Sequence, residues 1–440
     1  MKKIVKFSLC LIMLLLTASV IFAAGGGQSG GAKAPDTQSS PKKLVLYTEW
    51  TEGINRNFLN KAVGDFQQKN PGVTIEVMSA PLQQFDTFFK TAVAGNEQID
   101  VVEMNIQFFR DYVTRGFLKP LDGLVDFNKT PRIQTAWDQE KYFSRSDKRY
   151  GIPMQINTTA FYYNPAIFDQ YKIEVPKTWD DIFAMKDKLA AGGISPMVYA
   201  GAEPWWNPMH FNAIFYQMTK NKGLEVNEKF MKGDFSPEVI KPYIDTLQFF
   251  ADLDTKGIFI PGTQGLDFNS ALTVFSQGKA AMYFLVATHM ERLGSVAPGF
   301  KYHVVTTPVL DKSLKSEPPG SIGVIFGVYK DSKFADVAGK FVEYYGSPQT
   351  LEERFNMPGS SILSITPGIK LTNTTPVIDA FYKIAPATCI WLDALWEPEI
   401  ITAFQRGCQS AILKQKTPTQ VMDEIIAQYK QLREQKRTFY

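Results

Sequence analysis

From Lys42 onward the chain changes repeatedly between two kinds of hydrophobic pattern. "KKLVLYTEW" is a short run rich in Leu, Val and Tyr, and it reads as a buried strand. Asn55 to Lys69 then places Phe58, Leu59, Ala62, Val63 and Phe66 on one helical face. "NPGVTIEVMSA" is a turn followed by a strand in which Val73, Ile75 and Val77 alternate with polar residues. "FDTFFKTAVAGN" is helical again and stops at Gly95, and "QIDVVEMN" is a third strand. Strand, helix, strand, helix, strand is the grammar of a parallel sheet covered by helices.

The alternation continues through "TTAFYYNPAIFDQY", "WDDIFAMKDKLAAGG" and "SPMVYAG". Long helical stretches follow, from Glu238 to Asp254 and around Gly265 to Gln277. "KAAMYFLVA" and "YHVVTTPVL" read as strands, and "SIGVIFGVY" as a strand that crosses between two halves of the molecule. Pro398 to Arg437 is mainly helix with a break at Pro418. Thr178, ahead of Asp180 and Asp181, is an N-cap with acids in the first turn.

The first residues break this pattern. Lys2, Lys3 and Lys6 precede an apolar run from Phe7 to Phe22, then Ala23 and Ala24, as in a cleavable secretory signal peptide (1–23). Cys10 lies inside the run rather than at its end, so a lipid-anchored cysteine is not expected. Residues 24–41, rich in Gly, Ser, Ala, Pro and Gln, form a flexible leader. The remaining ~400 residues exceed what one core usually organises, so two lobes are expected.

Charge narrows the partners. The 47 Lys and Arg stand against 44 Asp and Glu, and the two balance once the three N-terminal lysines are removed. A neutral chain lacks the cationic surplus that nucleic acid or an anionic membrane would require. Cys389 and Cys408 would be the only cysteines left; they form either one disulfide or two buried thiols. His210, His289 and His303 have no metal spacing, and no Walker loop or serine-nucleophile turn is present, so no cofactor or metal is expected. A glycosidase stays open, because its two carboxylates need meet only in space.

At Arg149 to Ile182 the chain resembles the extracellular solute-binding proteins of carbohydrate ABC importers, the maltose-binding-protein-like group. The residues that carry this are Tyr150, Gly151 and Pro153, then Tyr163 and Asn164, then Pro176 to Trp179. "IDVV" (with Ile99 for the usual proline), "FSQGKAAM" and "ADVAGKFVEYYGSPQ" follow the family's order, and the resemblance spans essentially the whole mature chain. It implies two doubly wound α/β lobes joined by a three-crossing hinge, a type II periplasmic binding protein fold. The expected lobes are 42–155 with 324–373, and 156–323 with 374–440. Crossings are expected near Gln155 to Asn157, near Ile322 to Phe326, and between Asn373 and Ala385.

The resemblance also implies a function: a monomeric periplasmic protein, no enzyme, delivering a sugar to an ABC permease in the inner membrane. A sugar presents hydroxyls to planar polar groups and a C–H face to aromatic rings. Candidate contacts are therefore aromatic and polar residues at strand ends. They are Glu49, Trp50 and Thr51 after the first strand, Asn105 and Gln107 after the third, and Asn157 at the first crossing. Glu203 and Trp205 follow "PMVYA", with Trp206 divided between ligand and core, and Trp391 and Asp393 lie in "CIWLDALWEPE". Trp391 and Leu395 share helical spacing, which also suits a core. Where the family often has a tryptophan after "GKAAM", this chain has Thr288 and His289. The neutral polar set favours an uncharged ligand of one or several sugar units; a polyamine or peptide remains the alternative.

Overall fold

The computed structural model describes residues 41–360, 363–372 and 374–438. The expected signal peptide and all of the expected leader except Pro41 lie outside the described residues. The first part of the chain runs β1 (Lys42–Thr48), α1 (Gly53–Lys69), β2 (Val73–Ser79), α2 (Leu82–Ala94), β3 (Val101–Asn105), α3 (Ile106–Thr114), β4 (Leu118–Lys119), α4 (Gln134–Ser144) and β5 (Ile152–Pro153). The middle runs β6 (Ile156–Tyr163), α5 (Pro165–Gln170), α6 (Trp179–Ala190), β7 (Ser195–Val198), α7 (Asn207–Met218), α8 (Gly223–Met231), α9 (Pro237–Thr255), α10 (Phe268–Ser276), β8 (Ala280–Val286), α11 (His289–Val296), β9 (His303–Val305) and β10 (Pro319–Ile322). The last part holds β11 (Val324–Tyr329), α12 (Ala335–Tyr345), α13 (Pro348–Phe355), α14 (Pro376–Ile384), β12 (Cys389–Ile390), α15 (Pro398–Ile412) and α16 (Pro418–Glu434).

These strands form two six-stranded sheets. The first has the order β2-β1-β3-β11-β4, with β5 on β11; the second has β12-β10-β6-β8-β7, with β9 on β6. The molecule is thus α/β with helices around two sheets. In the first sheet β1 is parallel to both β2 and β3, in register Leu46↔Val77 and Leu46↔Val101. Both faces of β1 are covered: Leu44 and Leu46 pack with α1 and α12, Val45 and Tyr47 with α2 and α3. That is why the strand reads as a continuous apolar run rather than an alternating one.

The sheets are not wholly parallel, which differs from the sequence expectation. β11 runs antiparallel to β3, and β6 antiparallel to β8 and β10. The reason is connectivity. β11 enters the first sheet directly from β10 of the second, through Gly323, and no helical crossover turns it round. "SIGVIFGVY" is therefore two strands in two sheets, and "YHVVTTPVL" keeps only three residues as strand, β9. β5 likewise hands over to β6 through Met154 and Gln155. The chain leaves the first half a last time after α13, because α14 packs on β6 and β9.

The handover is close-packed. A Cβ on Gly320 would collide with Thr388 and the Asn157 carbonyl, so only glycine lets β10 lie between β6 and β12. Arg132 is buried beside β5; its Nη2 donates to the Gly346 carbonyl at 3.0 Å and its Nε to Pro153. Gln139 of α4 accepts from the Ile322 N–H at 2.8 Å, tying that helix to β10. Further out, Thr178 and Asp181 form a reciprocal capping box that starts α6. Cys389 and Cys408 are free thiols, Cys408 buried and Cys389 only partly so, and burial pushes both well above the ordinary thiol range.

Candidate functional site

Strands of both sheets end around one cavity of about 470 Å³. From the first half it takes Leu82, Gln83 and Asp86 at the start of α2, and Asn105, Ile106, Gln107 and Phe108 where β3 becomes α3. From the second it takes Asn157 on β6, Trp205, Trp206 and Met209 beyond β7, and Val286, Thr288 and His289 beyond β8. Trp391, Asp393 and Ala394 follow β12, and Pro398, Ile401, Thr402 and Gln405 lie on α15. Loops at the carboxyl ends of open α/β sheets are where such folds place ligands.

The two tryptophans of "PWW" diverge because Pro204 to Trp206 is a single 3-10 turn. Trp206 is 1% exposed and packs on Phe268, Phe284 and His210, with only part of it reaching the cavity wall. Trp205 is half-buried. Its Nε1 donates to the Glu203 carboxylate at 2.9 Å. Its ring lies parallel to Phe268, with centroids 5.2 Å apart, and Phe268 stacks on His289 at 4.4 Å. The result is a three-ring stack that holds Trp205 in one orientation. Burial, with a smaller contribution from the Arg292 charge, pushes His289 down to about 3, so its ring is neutral.

Polar side chains are also fixed. Asn105 caps α3, its Oδ1 accepting from the Gln107 N–H at 3.3 Å. Asn157 accepts from Gln155 Nε2 at 3.2 Å. Asp393 accepts from Asn212 Nδ2 at 3.0 Å; burial pushes it up to about 6, offset by Asn212 and by its own backbone N–H. Trp391 is half-buried, and its Nε1 is shielded from solvent with no protein partner. Leu395, which shares its spacing, is fully buried, so the segment serves the core at one end and the cavity at the other.

Seven of the residues expected from sequence therefore line this cavity: Asn105, Gln107, Asn157, Trp205, Trp206, Trp391 and Asp393. Four do not. Thr51 is exposed on the surface, and Glu203 acts on Trp205. Trp50 is 9% exposed and packs into the core against the stacked pair Phe326 and Tyr345, at 5.9 and 6.4 Å. Its N–H donates to Thr48 Oγ1 at 3.0 Å, which turns the chain back over the sheet. Glu49 lies among the groups around Glu103 of β3, whose carboxylate accepts from the Glu49 N–H at 3.0 Å and from the Thr48 hydroxyl. Burial and then the Glu49 charge push Glu103 well above the ordinary carboxylate range, and burial pushes Glu49 up to about 7, offset by Asn105.

The sequence reading missed Gln83 and Asp86, although "APLQQFD" follows the second strand and the strand-end rule reaches it. Thr402 and Gln405 carried no such signal, since polar residues on one side of an amphipathic helix usually face solvent.

Residues 50–352 match the family model of the bacterial extracellular solute-binding proteins. The chain belongs to that family. The tyrosine–glycine–proline and proline–lysine–threonine–tryptophan motifs fall inside the matched region, as the resemblance implied. A relative in Streptococcus mutans, the multiple sugar-binding protein, is 22% identical over 377 residues, covering 83% of this chain and 86% of its own. The structure of RafE in complex with raffinose is similar with a TM-score of 0.70 at 21% identity, covering 88% of this chain and 98% of that one. A chitin oligosaccharide binding protein reaches a TM-score of 0.75 at 20% identity, with the same two coverages, 88% and 98%. The fold is that of two-lobed solute-binding proteins, and the family's work is binding rather than catalysis.

Proposed function

We propose that this solute-binding protein takes a sugar, mono- or oligosaccharide, into the cavity and delivers it to an ABC permease of the inner membrane. The observation that carries the reading is the Trp205–Phe268–His289 stack in a cavity that also holds Gln83, Asn105, Gln107 and Asn157. The indole offers a flat apolar surface for a sugar C–H face, and the amides offer paired donors and acceptors for hydroxyls. The sugar-binding name of the relative and the sugars named for the similar structures, raffinose and chitin oligosaccharide, support the same reading. The lobes are 42–155 with 324–373, and 156–323 with 374–440. Ligand favours the closed form because only closure lets both lobes touch it. The protein works as a monomer in the periplasm, released there by its signal peptide.

A thermal-shift screen against neutral sugars, beginning with raffinose and N-acetylchitotriose, tests this. A ligand at a hundredfold its dissociation constant adds roughly 2.7 kcal/mol of stability. Trp205→Ala removes that gain while the ligand-free midpoint stays near the native value. A panel without any stabilising sugar, or a gain that survives in Trp205→Ala, sinks the reading.

A further inference from the structure

We infer that the cavity admits uncharged, hydroxyl-rich sugars and rejects those carrying a carboxylate, sulfate or phosphate. This rests on the carbohydrate reading above and sharpens it to a substrate class. Among the described residues the cavity wall holds no lysine or arginine. It does hold two carboxylates from opposite sides, Asp86 of α2 and Asp393 beyond β12. Its histidine, His289, is neutral.

Cations near the wall are engaged by other groups, among them Arg110 of α3, whose Nη1 donates to the Leu395 carbonyl at 2.8 Å. Lys90 lies 2.7 Å from Asp86 and 2.9 Å from Asp111, and Arg115 also pairs with Asp111 at 2.7 Å, so two cations are held by these two acids. Arg292 sits over the Phe268 ring, 5.8 Å from its centroid, and does not line the cavity. Asp393 is bound by the Asn212 amide at 3.0 Å. It is 9% exposed, so its charge is poorly screened.

An anion entering this space loses its water and gains no countercharge. On closure it also approaches the buried Asp393 carboxylate, which is held by the neutral Asn212 amide rather than by a cation. Burying an unpaired charge and placing it beside a like charge both oppose binding. A neutral sugar meets the same carboxylates as hydrogen-bond acceptors for its hydroxyls. The wall therefore selects by repulsion as well as by fit.

Matched pairs differing in one charge test this on the mature protein. Raffinose is compared with raffinose oxidised to the carboxylate at galactose C6, and N-acetylchitotriose with its C6 carboxylate, by titration calorimetry at pH 7.5. The neutral member is expected to bind about a hundredfold or more tightly than its partner. Asp393→Asn, close in shape, is expected to narrow that gap at least tenfold. A carboxylate member bound as well as its neutral partner overturns the inference and leaves the carbohydrate reading standing. No binding of either neutral sugar or of any wider neutral panel overturns both together.

Discussion

Two strand ends carry almost the same chemistry and meet opposite fates. β1 ends in Thr48-Glu49-Trp50, and β7 leads to Glu203-Pro204-Trp205. In each a glutamate and an indole stand just beyond a carboxyl end. After β7 the glutamate holds the indole by its Nε1 at the cavity wall. After β1 the Thr48 side chain holds the Trp50 N–H, and the indole folds back against Phe326 and Tyr345. Here α12 supplies Tyr345 as an aromatic partner on the core side; at Trp205, Phe268 supports the ring from below and leaves part of it open. Which neighbour is available, not the local residues, decides whether a strand-end tryptophan lines the cavity or fills a core.

The comparison can be broken most forcefully at its buried members. Trp50→Ala and Trp206→Ala each leave a large hole and should cost about 3–5 kcal/mol of stability, read as a lowered midpoint in chemical denaturation. Trp205→Ala should do the reverse. Its sugar affinity falls thirtyfold or more, a loss of at least ~2 kcal/mol at a central anchor, measured by calorimetry while the ligand-free unfolding curve barely moves. If Trp50→Ala weakened binding without destabilising the fold, the contrast would be wrong.

Acid supplies a further probe. His210 packs against Trp206 and is held down at about 3, by burial above all. A depressed histidine contributes stability that is complete above its unfolded value near 6.5 and lost as pH falls toward 3. Between pH 7.5 and 5 the loss is on the order of 1–2 kcal/mol. His210→Phe should reduce the slope of this part of the stability profile, with His289, also held at about 3, keeping its own share, followed by thermal melts across that range. Asp393 works in the opposite sense: raised to about 6, it contributes stability below the ordinary carboxylate range that is lost as pH rises through 6. The smallest effect is expected at a site remote from both tryptophans: Thr178→Ala, which removes one half of a capping box, should cost about 1 kcal/mol and leave sugar affinity unchanged.

Much of the architecture was legible because helices and strands leave periodic traces. The alternation from β1 through β3 and the cap at Thr178 are local, so nearby residues specify them. The direction of β11 was not legible, because it depends on a strand in the other sheet handing over without a helix. At the candidate site, Trp205 and Asn105 were readable from their place beyond strands, whereas Gln405 on α15 looks like any solvent-facing glutamine. Trp50 was misread because a strand end has two sides and the residues do not say which is covered.

By itself the sequence determined the alternating elements, the family motifs and the supply of indoles and amides at strand ends. These follow from short-range periodicity and turn chemistry. Tertiary structure alone decided which of those side chains share a cavity, which lie in a core, and that no cation stands on the wall among the described residues. The reason is that helices distant in the chain, such as α12 and α15, cover or complete each strand end. Burial is set by those remote surfaces rather than by the residues beside it.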